Sequence, residues 1–217
     1  MNKTKIEWAD YSWNPIKGAC PEACWFCYAR AIYRRFKLDP KPWLDIAELN
    51  MALNTRRTGK RVFVCSTFEL FNPVVDGKWR DYIFDVIDHR RDLTFIILTK
   101  RPERIGRPMP PNVWLGVSVT SSKDAWRIVE LRRVAAEVRF ASFEPILDHS
   151  FELDLRFLDW VIVGRLTGRG SRYDPAEDVL DRFVRMARLH RVPLFMKDNL
   201  KGIWPGPLIQ EWPKEKP

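Results

Sequence analysis

A chain of 217 residues that is 46% hydrophobic can build one well-formed core, and its length favours a single domain. Its formal charge of +9 favours a polyanionic partner, nucleic acid first. No run of about eighteen apolar residues occurs, so a membrane-spanning helix is excluded. Met1 to Glu7 lacks the apolar core of a secretory signal, and the expectation is a cytoplasmic protein. Clustered cysteines in that setting read as ligands or catalytic groups in preference to disulfides.

Ile6-Glu7-Trp8 reads as a short first strand, and Trp13-Asn14-Pro15 as a turn leading into a cysteine-bearing loop at 18–28. Ala29, Ile32, Tyr33 and Phe36 recur on one helical face, and Asp39-Pro40-Lys41-Pro42 stops that helix. A second helix is expected from Trp43 to Arg57. Apolar runs at 62–65, 94–98, 113–119, 138–141, 160–164 and 193–196 then alternate with helical patterns at 79–88, 124–134 and 176–189. Short continuous apolar runs between helices mean parallel strands covered by helices. Six or seven such units suggest an α/β fold, an open or partial (β/α) barrel over residues 1–200. Residues 201–217, rich in Pro and Trp, read as an irregular tail. In such folds the site lies at the carboxyl ends of the strands. The polar residues following each run are Ser66, Thr67 and Glu69; Thr99, Lys100 and Arg101; Ser118 and Thr120; Ser142 and Glu144; Arg165 and Thr167; and Lys197, Asp198 and Asn199.

Three of the four cysteines, Cys20, Cys24 and Cys27, fall within eight residues as Cys-x3-Cys-x2-Cys. Zinc would need a fourth ligand, and the nearest histidine in sequence is His89. Three unrelated buried thiols are the bland alternative. A [4Fe–4S] cluster with three irons held by cysteine and the fourth open matches the ligand count.

With an aromatic residue before its last cysteine, Cys20-x3-Cys24-Trp25-Phe26-Cys27 resembles the signature of the radical S-adenosylmethionine (SAM) superfamily. The resemblance implies a partial (β/α)6 barrel in a single domain, with SAM on the open iron and a 5′-deoxyadenosyl radical made from it. Over nearly the whole chain the sequence also resembles the phage Gp37/Gp68-type radical SAM proteins, through Lys5-Ile6-Glu7-Trp8, Ser12-Trp13-Asn14-Pro15, 98–104, 112–118 and 158–164.

The fourth cysteine, Cys65, is by habit a small buried apolar residue. Its place after a strand and before Ser66 is similar to that of the hydrogen-donating cysteine of spore photoproduct lyases. The resemblance implies Cys65 as hydrogen-atom donor and Tyr28 as part of a radical relay. It also implies SAM contacts from Ser66, Lys100 and Ser118, with Phe26 beside the cluster. Glu69 stands where a glycine-rich SAM-binding stretch is usual, and is expected to meet the SAM ammonium. The implied reaction reverses a thymine dimer in DNA, flipped out of the duplex, and needs a reducing donor such as flavodoxin or ferredoxin; a monomer is expected. Arg165, Arg169, Arg172 and Lys197 are the expected nucleic-acid contacts, and basic clusters also occur at 30–37 and 56–61. Rival readings are a radical SAM enzyme modifying RNA, a nucleobase or a peptide with SAM consumed, and a nucleic-acid-binding protein with a structural or redox-sensing cluster.

Overall fold

The computed structural model describes residues 1–148, 150–152, 154–168 and 170–213. The chain divides into two compact units, 1–106 with 110–114, and 107–109 with 115 onward. The first holds β1 (Asn2–Lys3), β2 (Tyr11–Trp13), β3 (Ile16–Lys17), α1 (Tyr28–Arg35), β4 (Trp43–Leu44), α2 (Ile46–Leu53), β5 (Arg61–Val64), α3 (Gly77–His89) and β6 (Thr94–Thr99). Its main strands run in the order β1-β2-β5-β6 as an open array. β1 lies antiparallel to β2, whereas β2, β5 and β6 are parallel, with Trp13 beside Val64 and Val64 beside Ile97. Val62 to Val64 and Phe95 to Ile97 are all buried, as expected of parallel strands covered on both faces. The buried Ile83, Phe84, Val86 and Ile87 give α3 its core-facing stripe, and Asp76 caps it by accepting from Lys78 N at 2.8 Å. The Arg90 guanidinium donates to Ala52 O and Arg57 O, each at 2.7 Å, and pairs with Asp92. It thereby ties the end of α2 to the segment that enters β5.

β7 (Val113–Ser118) begins at the last residues of the first unit and continues into the second. The second unit adds α4 (Trp126–Leu131), β8 (Val138–Phe143), β9 (Trp160–Val163), α5 (Glu177–His190) and β10 (Leu194–Met196), with strands in the order β7-β8-β9-β10. β8, β9 and β10 are parallel, Phe140 lying beside Trp160 and Leu194 beside Val161. A Cβ on Gly116 would stand 2.3 Å from the Phe140 ring, so the missing side chain is what lets that ring pack on β7.

The α/β class with mostly parallel strands agrees with the sequence reading. Four local expectations change. Ile6-Glu7-Trp8 forms a turn, because Ile6 O accepts from Ala9 N while Trp8 packs on Phe63 with ring centroids 4.6 Å apart; the strand lies at 11–13. Trp43 and Leu44 pair with Lys17 and Ile16, so the second helix starts only after its Asp45 cap and ends at Leu53. α4 is shorter than 124–134, because the Asp124 carboxylate accepts from Thr120 and Ser121 and closes a separate turn. Residues 201–213 are irregular but docked on the second unit: Gln210 bridges to Phe195, Trp160 Nε1 donates to Glu211 O at 2.8 Å, and Trp212 stacks on Trp160 at 5.2 Å.

Candidate active site

The cysteine loop is fixed at both ends and in the middle. At its start Gly18 has φ 110°, and a Cβ there would lie 2.8 Å from Lys41 O. Gly18 N donates to the Tyr33 hydroxyl at 2.7 Å, and Ala19 N to Pro40 O at 3.0 Å. Two tight turns follow, Ala23 N to Cys20 O and Cys27 N to Cys24 O. Cys27 then stands at the N-cap of α1 without capping it through its sulfur, which leaves that thiol available. Midway, Glu22 accepts from Arg101 Nε at 2.8 Å and Asn72 Nδ2 at 2.7 Å. Burial alone would raise the Glu22 pKa, but the Arg101 and Asn72 bonds outweigh it and hold the carboxyl below its ordinary value.

Cys20, Cys24 and Cys27 are free thiols, each partly exposed, and all three line one cleft of about 110 Å³. Cys65, Glu69 and Lys100 line the same cleft. Burial pushes the Cys20 thiol up, only partly offset by the backbone N–H groups of Glu22 and Glu69. Among the described residues no group of three or more His, Cys, Asp or Glu side chains is arranged to hold a metal ion. The donor chemistry and the shared cleft fit a cluster held by three thiolates.

Cys65 follows β5 directly and is 5% exposed. Its φ of 53° is left-handed, a conformation that costs a non-glycine residue about 1 kcal/mol and that gathers at functional sites. Bonds from Cys65 N to Trp13 O at 2.8 Å and from Phe68 N to Cys65 O at 3.1 Å hold it there. Burial pushes its pKa up to about 12, so the sulfur keeps its proton at any physiological pH.

Glu69 is 6% exposed and serves three donors: Thr99 Oγ1 at 2.5 Å, Lys100 N at 2.8 Å and Phe71 N at 3.1 Å. Desolvation dominates and raises its pKa despite those bonds, so an added cation would stabilise it. The Lys100 ammonium has no hydrogen-bond or ion-pair partner among the described residues. Ser66 Oγ donates to Asn14 Oδ1 at 3.0 Å, which fixes the hydroxyl at the cleft wall.

The cleft thus gathers seven of the residues expected from sequence. Tyr28 is not among its lining residues; it opens α1 and is 58% exposed. Phe26 is also outside the lining and packs edge-on against Trp25. In the second unit, Ser118 is buried at the end of β7, where its carbonyl accepts from Arg127 at 2.7 Å. Arg165 pairs with Asp174 at 2.9 Å and donates to Asn199 O, and Lys197 pairs with Glu144. A Cβ on Gly164 would lie 3.0 Å from Lys197 Cδ, so glycine there makes room for that pair. Arg172 lies over the Tyr173 ring at 4.5 Å, and Arg169 lies outside the described residues. Asn14, Glu22 and Asn72 had no assigned role in the sequence reading. An acid inside the Cys-x3-Cys gap of a chain of net charge +9 was the available signal for Glu22.

Comparison with known proteins gives a family and a fold. The model of a protein family of unknown function, DUF5131, matches residues 3–204. No curated protein matches the chain. Among solved structures it is similar to a double variant of spore photoproduct lyase with bound AdoMet and dinucleoside spore photoproduct, at TM-score 0.59 and 12% identity, over 90% of this chain and 78% of that one. A spore photoproduct lyase complexed with dinucleoside spore photoproduct is similar at TM-score 0.52 and 12% identity, over 88% of this chain and 64% of that one. The likeness is one of fold: this chain shares the α/β fold of these spore photoproduct lyase structures.

Proposed function

The chain belongs to the DUF5131 family, and from the contents of its cleft we propose that it is a radical SAM enzyme that repairs a spore-photoproduct-type thymine lesion in DNA. The observation that carries this reading is the meeting of three free loop thiols, a buried protonated Cys65, Glu69 and Lys100 in one cleft. Cys20, Cys24 and Cys27 would hold three irons of a [4Fe–4S] cluster. When bound, the cluster with SAM supplies one electron and a 5′-deoxyadenosyl radical that takes a hydrogen atom from a nearby C–H bond. Lys100 offers its ammonium to the SAM carboxylate, and Ser66 a hydroxyl near the SAM amino group. Glu69, pre-oriented by Thr99 and two backbone amides, offers a carboxylate to the SAM ammonium.

Cys65 has the properties of a hydrogen-atom donor. Donation needs an S–H bond, and its raised pKa keeps that bond intact where an ordinary surface thiol would be partly ionised. Its hydrogen would pass to the thymine radical left when the lesion's bridging bond breaks; the S–H bond is lost and a C–H bond forms. Tyr28 O–H would then return a hydrogen atom to the sulfur and take one in turn from 5′-deoxyadenosine, which restores both the S–H and the O–H bond.

The test is anaerobic incubation of the reconstituted protein with SAM, dithionite and dinucleoside spore photoproduct. Thymidine should be recovered. Cys65→Ala should still form 5′-deoxyadenosine while the substrate radical is diverted to adducts, lowering clean repair at least about tenfold, the usual scale for a positioned proton or hydrogen donor. Equal repair by Cys65→Ala would remove the donor role.

One observation favours a second reading, a radical SAM enzyme acting on RNA, a nucleobase or a peptide with SAM consumed. Tyr28 is absent from the cleft lining, and a relay that regenerates SAM needs it close. One 5′-deoxyadenosine per product would support that reading; many products per 5′-deoxyadenosine would support repair with SAM recycled.

A further inference from the structure

The basic residues that stand out in the sequence divide into two kinds in the structure. Arg165 is matched by Asp174 and Lys197 by Glu144. Those at α1 are not: among the described residues Arg30, Arg34 and Lys37 make no ion pair, and α1 contains no acidic residue. These three line a single pocket of about 340 Å³, with the Tyr33 ring between them and Leu38 and Pro40 at its edge. No carboxylate lines it. Three like charges around one concavity repel each other, and an entering anion relieves that repulsion.

The pocket is joined to the cysteine loop by direct bonds. Arg30 Nη1 donates to Cys20 O at 3.0 Å, and the Tyr33 hydroxyl accepts from Gly18 N. On the same helix and just beyond it, Tyr28 and Phe36 are exposed, and the Arg35 guanidinium lies 5.4 Å from the Phe36 ring. Basic residues interleaved with exposed flat rings are what a nucleic-acid strand recognises: phosphates for the cations, bases for the rings. An acidic protein would satisfy the charges but leaves the exposed rings of the same segment unused.

We propose that the α1 pocket binds a backbone phosphate of the nucleic-acid substrate, with Arg34 and Lys37 as its main contacts and Arg30 linking the bound strand to the cysteine loop. This deepens the nucleic-acid part of the function proposed above and rests on it only for what the bound strand is then used for.

The experiment is a titration of the full-length reconstituted protein with a labelled single-stranded oligothymidylate at several salt concentrations. Arg34→Gln/Lys37→Gln, both changes at exposed positions, should weaken binding on the order of tenfold. The double change should also make the slope of log K against log salt shallower by about 0.7, the share of the one single-strand phosphate the pocket holds. Arg34→Lys should keep most of the affinity, and Arg185→Gln, which removes a cation paired on α5, should keep all of it. Wild-type affinity and slope in the double variant would overturn the proposal. So would unchanged oligonucleotide binding with slower reduction by an acidic protein donor, or inorganic phosphate binding as tightly as the strand. If no preparation makes 5′-deoxyadenosine while the double variant still loses the oligonucleotide, the radical reading fails and the phosphate site stands.

Discussion

At the residue scale, the loop's geometry depends on Glu22. Its carboxylate ties the segment between Cys20 and Cys24 to Arg101 and Asn72, and neither partner is in the loop. Arg101 is partly exposed, so the ion pair contributes only about 1 kcal/mol to the loop's order. That is enough to set where two of the three thiols sit. Glu22→Ala and Arg101→Ala should each lower the iron bound per chain after reconstitution and broaden the cluster's electron-spin resonance, and the double variant should be little worse than either, since both remove one contact. Because Glu22 is held below its ordinary pKa, the tether is fully formed at neutral pH and is lost only as pH falls through that depressed value. Of the site itself, Cys20, Cys24 and Cys27 were legible from spacing, and Ser66, Glu69 and Lys100 from their positions after apolar runs. Glu22 was not, because its partners lie 50 and 79 residues away and no local pattern links them.

At the element scale, the alternation of apolar runs and helices was legible because each parallel strand is buried on both faces and carries a continuous hydrophobic stretch. The order β7-β8-β9-β10 follows chain order in the second unit, which short connections favour. What the pattern did not show was competition for backbone groups. Trp43 and Leu44 look helical in period but are claimed by Ile16 and Lys17, and Ile6 O is claimed by a turn. Gly116 shows a strand whose sequence is dictated by its neighbour. Gly116→Ala would drive a methyl group into the buried Phe140 ring, and should destabilise the fold by about 1–3 kcal/mol, read as a lower thermal midpoint. Adding Phe140→Leu should recover part of that loss, since it removes the obstructing ring.

At the scale of the whole molecule, both units have cores built without the cysteine loop. Trp13 and Phe95 meet in the first, and Phe143, Phe151 and Phe183 cluster in the second. A small zinc-organised domain collapses when its metal is taken away. Stripping the iron of the proposed cluster should instead leave the far-ultraviolet circular dichroism unchanged, with only a modestly lower thermal midpoint. The net charge favours a polyanionic partner without naming the surface involved; among the described residues, ion pairing separates Arg165 and Lys197 from Arg30, Arg34 and Lys37. The distribution of the four thiols has a practical side as well. Three sit partly exposed on one short loop and the fourth is 5% exposed just after β5, so the protein carries its own record of handling. In air the loop sulfurs are consumed first while Cys65 survives. On the proposed function, a preparation that has lost three titratable thiols but kept one should make no 5′-deoxyadenosine although its fold is intact.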